Sequence, residues 1–207
     1  MKKNVYLILV IAVAVAIGSA FVSPRAEGYE VGDTAVDFEL KNIDGAMVSM
    51  GDYDDAKGFL VVFTCNTCPY AKMYEDRIIA LDQKYKDKGY PVIAINPNDP
   101  VRSPGDSWDE MKTRYADKGM TYPYLYDETQ EITSTYGATK TPHVYLLNKE
   151  SNQLVVKYIG AIDDNFKDAS AVTKTYLEDA VDALIDNKAV PTTSTKAIGC
   201  TIKWKES

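Results

Sequence analysis

Cysteine is scarce in this sequence, with three among 207 residues. A small scaffold stapled by disulfides needs more, so the core has to be held by burial of apolar side chains. Histidine is scarcer still, with His143 alone. Three cysteines and one distant histidine make a poor ligand set for a structural zinc site, which wants four ligands at short spacing. Basic charge is in deficit: 23 Lys and Arg stand against 30 Asp and Glu, a net charge of −7. Such a surface has no electrostatic reason to bind nucleic acid or anionic lipid. No internal repeat and no low-complexity tract is present.

What is present is ordinary globular material, 45% hydrophobic and 26% charged, enough for one domain with a good-sized core. The N-terminus is the exception. Lys2 and Lys3 precede an unbroken apolar run over residues 5–17, and Gly18, Ser19 and Ala20 form a small-residue cleavage signal. Residues 1–20 read as a secretory signal peptide. Residues 5–22 carry no charge and approach the minimum membrane span, so an uncleaved anchor is the alternative. Either way the rest of the chain is exported, to the periplasm or the outer face of the membrane, where disulfides persist.

After a linker over residues 21–28, the chain alternates strand and helix signals. Strands are expected at 36–40, 58–64, 90–96 and 121–126, and an Asp-Gly hairpin at 42–50. Residues 142–147 and 153–160 form a second hairpin around a polar turn. A helix following the first cysteines carries Tyr70, Met73, Tyr74, Ile78, Leu81 and Tyr85 on one face and stops at Lys88 and Gly89. Ser107 and Glu110 form a capping box for a second helix, and Asp127 to Gln130 resembles another for a third, ending near Gly137. An amphipathic helix spans about 171–186, with Leu177, Val181, Leu184 and Ile185 on its stripe. Residues 190–207 form an extended tail holding Cys200. The pattern predicts an α/β fold, a central mixed β-sheet with helices on both faces.

The chemistry concentrates in "FTCNTCPYA", residues 63–71. Cys65 and Cys68 lie between a buried strand and a helix. Unsatisfied N–H groups and the helix dipole there stabilise a thiolate. Cys68 falls less than one turn after Cys65, so the pair can cycle between dithiol and disulfide. Pro69 is tolerated in the first turn, and its presence excludes the Cys-x-x-Cys-His of covalent haem. An inert bridge over so short a loop removes little chain entropy. Copper or zinc binding would have to recruit His143 or Cys200. No cofactor is expected.

The segments "VVFTCNTCPYA" and "YGATKTPHVYLLN" resemble the thioredoxin-like superfamily. Within it they are similar to the redoxin branch, the alkyl hydroperoxide reductase/thiol-specific antioxidant type of domain, which includes exported thiol–disulfide oxidoreductases. The resemblance covers residues 29–189 and implies a thioredoxin-like fold. It also implies that Thr141 and Pro142 form a cis-proline loop facing the dithiol. Thr141 would hold a substrate chain by its backbone, and Pro142 would keep other ligands off the sulfurs. Cys65 would attack and Cys68 resolve, on protein or peptide thiols, with an upstream redox partner restoring the enzyme. A thiol-dependent peroxidase is the alternative activity, and a metal- or partner-binding module a third. Thioredoxins keep Trp and a buried Asp where this chain has Thr64 and Phe59, so the proton acceptor is sought in water, Lys140 or His143. The peroxiredoxin pattern Pro-x-x-x-Thr-x-x-Cys is not matched. The tail "GCTIKW" resembles a subgroup of bacterial thioredoxin-like proteins with a similar ending. In those, His stands at the place of Thr67, and Cys-Thr-Pro-Asp replaces the segment from Lys140 to His143. Cys200 either relays electrons with the pair, if the tail folds back, or packs alone under Trp204.

Overall fold

The computed structural model describes residues 28–206, so the expected export segment and nearly all of the expected linker lie outside the described residues. Ten strands and four α-helices follow the expected alternation among them. They are β1 (Thr34–Ala35), β2 (Glu39–Asn42), β3 (Met47–Ser49), β4 (Gly58–Phe63), α1 (Pro69–Tyr85), β5 (Val92–Asn96), α2 (Trp108–Lys118), β6 (Tyr124–Tyr126), α3 (Glu131–Tyr136), β7 (Lys140–Thr141), β8 (His143–Glu150), β9 (Gln153–Gly160), α4 (Tyr176–Ile185) and β10 (Cys200–Thr201).

Eight strands form one mixed sheet in the order β1-β9-β8-β4-β5-β6-β2-β3, and β10 pairs separately with β7. The centre is parallel where helices cross over, β4 to β5 to β6, and antiparallel elsewhere. Alternation along the central strands sorts their side chains onto two faces. Leu60, Val62, Val92, Ala94, Val144 and Leu146 join one core with α1, α2 and α4. Phe59, Val61, Phe63, Ile93, Ile95 and Tyr145 join the other with Tyr136 of α3. The two apolar clusters explain why the central runs contain almost no polar residue. Among the described residues no helix is long and apolar enough to cross a membrane.

Several expectations are corrected. Residues 36–38 are not strand: the Asp37 carboxylate accepts the N–H groups of Phe38, Met50 and Gly51, turning the chain before β2 starts. On α1 the buried residues are Ala71, Tyr74, Glu75, Ile78, Leu81, Asp82 and Tyr85, whereas Met73 is 47% exposed. The buried stripe therefore includes two carboxylates that an apolar pattern hides. Glu75 is paired with Arg114 of α2, and Asp82 accepts from Thr121 Oγ1. The expected capping box at α3 takes another form. Gln130 is the cap in left-handed conformation, while Asp127 accepts both the N–H and the hydroxyl of Thr133. Helix α4 starts later than expected, at Tyr176, because residues 169–171 form a separate 3-10 turn capped by Asp168. The β8–β9 turn places Ser151 and Asn152 at positive φ, the two-residue geometry that matches strand twist.

Candidate active site

Strand β4 ends at Phe63, and its direction delivers Cys65 and Cys68 to the start of α1, with Cys68 as the N-cap and Pro69 in the first turn. All three cysteines are free thiols. The loop between the pair is fixed from a distance. Asp106, fully buried after β5, accepts the backbone N–H of Asn66 at 2.7 Å and that of Thr67 at 3.0 Å through one oxygen. Its other oxygen accepts from Thr67 Oγ1 (2.7 Å), Ser103 Oγ (2.6 Å) and Asn98 Nδ2 (2.8 Å). Asn66 donates to the Gly105 carbonyl and accepts from the Tyr124 hydroxyl. The N–H groups and the side-chain polar atoms of both residues between the cysteines are thereby matched, which holds the sulfurs in place.

The opposite wall is the loop between β7 and β8, where the Thr141–Pro142 peptide bond is cis. Thr141 Oγ1 lies 3.2 Å from Cys65 Sγ. The Cys68 thiol donates to the Thr141 carbonyl at 3.2 Å. The resemblance assigns the edge at Thr141 to a substrate chain, but in this protein it is occupied. The tail returns across the site, and Cys200 pairs with Thr141 while Thr201 pairs with Lys140. Gly199 makes this approach possible: a Cβ there would sit 2.2 Å from the Thr141 carbonyl oxygen.

The tail is fastened on both sides of this crossing. Upstream, Thr195 N–H donates to Ile159 O, and its hydroxyl bonds to Tyr158 and to Ala161 N–H. Downstream, Lys203 N–H donates to Asn98 Oδ1, Lys203 O accepts from Asp99 N–H and Gln130 Nε2, and Lys205 N–H donates to Gln130 Oε1. Ile202 is buried in the second core. Cys200 packs against Cys65, Cys68 and Ala71, not in isolation under Trp204. Cys65 and Cys68 are each only 3% exposed, while Cys200 remains half-buried.

The two inner sulfurs are electrostatically unlike. Cys68 is lowered to about 5, first because the Cys65 thiol donates to it, then through the Cys200 thiol and the N–H groups of Ala71 and Cys200, against the opposing effect of burial. These donors to the thiolate outnumber the one acceptor, Thr141 O, that favours the thiol. Cys65 is pushed up by its donation to Cys68, by burial and by the Asp106 carboxylate. Cys200 is raised to about 11 by burial and by the Cys68 sulfur, with Lys203 and Lys140 acting the other way.

Of the remaining sequence candidates, Lys140 acts electrostatically on Cys200. His143 faces elsewhere: its Nδ1 accepts the Thr139 N–H and its ring lies against Tyr145. Burial lowers it to about 4, so it is neutral, and neither of these contacts involves a sulfur. No group of three or more His, Cys, Asp or Glu side chains among the described residues converges as a metal-ligating set. Sequence reasoning missed Asp106, Asn98 and Gln130. The first two lie in a stretch readable only as a polar loop, and nothing local marks a carboxylate that will be buried under a turn forty residues away.

A cis-proline loop facing a Cys-x-x-Cys at the start of a helix, on a mixed sheet of this order, defines a thioredoxin-like oxidoreductase. The sequence model of the AhpC/TSA family matches residues 31–159, and the chain belongs to that family. It is 23% identical over 165 residues to the thiol-disulfide oxidoreductase ResA of Halalkalibacterium halodurans, covering 79% of this chain and 88% of that protein. It is 28% identical to the ResA of Oceanobacillus iheyensis, covering 74% and 79%. Among solved structures, an uncharacterized conserved protein from Geobacillus kaustophilus matches with a TM-score of 0.79 and 36% identity, over 86% of this chain and 94% of that one. A hypothetical protein from Sinorhizobium meliloti matches with a TM-score of 0.80 and 30% identity, over 87% and 97%.

Proposed function

We propose that this protein is an exported thiol–disulfide oxidoreductase that exchanges disulfides with protein or peptide thiols through Cys65 and Cys68. Residues 29–189 form the catalytic domain, residues 1–20 the export signal or anchor, and residues 190–207 a tail that belongs to the site. The observation that carries this reading is the buried dithiol at the start of α1, with one sulfur lowered to about 5 against the Thr141–Pro142 wall. The two sulfurs share one proton through their hydrogen bond, which favours a thiolate within the pair and leaves the other sulfur to close the disulfide after the first has exchanged. The basic and apolar N-terminal pattern supports an extracytoplasmic setting, and the exchange activity calls for an upstream redox partner.

The test is disulfide exchange on a reduced or oxidised protein substrate with Cys65→Ser and Cys68→Ser variants of the full chain. Both are expected to lose turnover. Full activity in both would sink the reading. The lowered Cys68 at a helix N-terminus also favours peroxidase chemistry as a second activity. Its signature is a sulfenic acid on Cys68 after peroxide, with turnover in a dithiol donor.

A further inference from the structure

We propose that Cys200 is a third redox-active thiol, the solvent-facing relay through which the buried Cys65/Cys68 pair exchanges disulfides with its substrates. The inference rests on the exchange activity proposed above and adds the route to it. Three observations carry it. The two sulfurs of the pair are nearly inaccessible, each 3% exposed, whereas Cys200 is half-buried and packs directly against them. The backbone edge that would receive a substrate chain, at Thr141, is filled by Cys200 itself, so the tail takes the place of a substrate cysteine. The tail is anchored at Thr195 and again at Lys203 and Lys205, which makes Cys200 a fixed part of the site.

The exchange balances without any further reactant. With the pair oxidised, the Cys200 thiolate attacks Cys68 Sγ. The Cys65–Cys68 bond breaks, a Cys68–Cys200 bond forms, and Cys65 leaves as a thiolate that takes up the proton Cys200 gave away. A substrate thiolate then attacks Cys200 Sγ, and Cys68 leaves as a thiolate. The second substrate thiol closes the substrate disulfide and releases Cys200. The substrate dithiol is oxidised and the Cys65/Cys68 disulfide reduced, and the reverse sequence reduces a substrate disulfide. The surroundings suit these steps. Once Cys68 is in a disulfide, its sulfur no longer opposes ionisation of Cys200, while Lys203 and Lys140 continue to favour it. The same two lysines attract an incoming thiolate to a protein that is otherwise acidic.

Two measurements on the full chain test this. In the first, oxidised protein is mixed with a reduced peptide dithiol, quenched by alkylation and read by mass. Cys200→Ser is expected to slow exchange by about tenfold or more. An unchanged rate overturns the relay, and a faster rate overturns it by identifying the tail as a cover. In the second, Cys65→Ser protein is treated with a thiol oxidant and its disulfides are mapped. A Cys68–Cys200 bond is expected, and its absence overturns the proposal whatever the first assay shows. Cys68→Ser separates this from the underlying reading. If that variant still exchanges at full rate, the exchange activity through the pair fails. If only Cys200→Ser does, the relay alone fails.

Discussion

Two segments meet at the sulfurs, and they are held by different physics. The loop between Cys65 and Cys68 is fixed by a single buried carboxylate that accepts five hydrogen bonds from backbone and side chains. The tail opposite is held by a two-residue strand, a glycine approach, bonds to the side chains of Asn98, Gln130 and Tyr158, and the buried Ile202. Charge-assisted buried bonds are strong and leave costly orphans when one partner is removed. The pairing at Cys200 itself is only two residues long, so that crossing, between its two anchors, is the weakest link of this wall. One wall of the site is therefore preorganised, and the other is fitted against it.

The largest effect is expected from breaking the rigid side. Asp106→Ala strands five donors, three of them buried, and should destabilise the protein by roughly 3–5 kcal/mol, read by chemical unfolding. Asp106→Asn keeps the shape and should cost less while letting Cys65 ionise at lower pH. Next comes the fitted side. Gly199→Val cannot approach Thr141, so the tail should lift from β7 at a cost of about 1–3 kcal/mol. Alkylation of Cys65 and Cys68 should then accelerate by an order of magnitude or more, because exposure of the thiolate, not its formation, limits it. No acceleration would mean that the tail does not cover the pair.

The dependence on pH sharpens the contrast between Cys68 and Cys200. Cys68 has its folded value depressed from 9.0 to about 5, so its contribution to the reduced protein is complete above pH 9 and is lost as pH falls toward 5. Cys200 has its value raised from 9.0 to about 11, so its contribution is complete below pH 9 and is lost as pH rises toward 11. Neutral, buried His143 adds a further loss as pH falls from 6.5 toward 4. Unfolding of the reduced protein at a series of pH values should show stability rising from pH 5 to 9. Thiolate absorbance should titrate with a midpoint near 5 and vanish in Cys68→Ala. The smallest effect is expected from Thr141→Val, which removes the hydroxyl beside Cys65 but leaves the pairing with Cys200. It should cost about 0.5–1.5 kcal/mol and leave the tail in place.

The class of fold was legible because the buried strands are written as continuous apolar runs and each helix carries a glycine or polar stop. The register of β2 was not, because Asp37 spends an otherwise strand-like segment on three backbone bonds. Cys65 and Cys68 were legible from local spacing, and the loop at Thr141 and Pro142 from the resemblance. Asp106 was not, because its role depends on a contact made only after β5 returns beside β4.

The order of strands and helices and the dithiol at a helix start were determined by the sequence alone, since each follows from periodicity and turn chemistry within a few residues, whereas the proline opposite the dithiol was implied by the resemblance to the thioredoxin-like superfamily. Which sulfur becomes the thiolate, and which cysteine meets solvent, were decided by the tertiary structure. Both depend on burial, on the Asp106 charge, on contacts with Thr141 and on donors from the returning tail, and no local pattern encodes desolvation or a partner 132 residues away in the chain, as Cys200 is from Cys68.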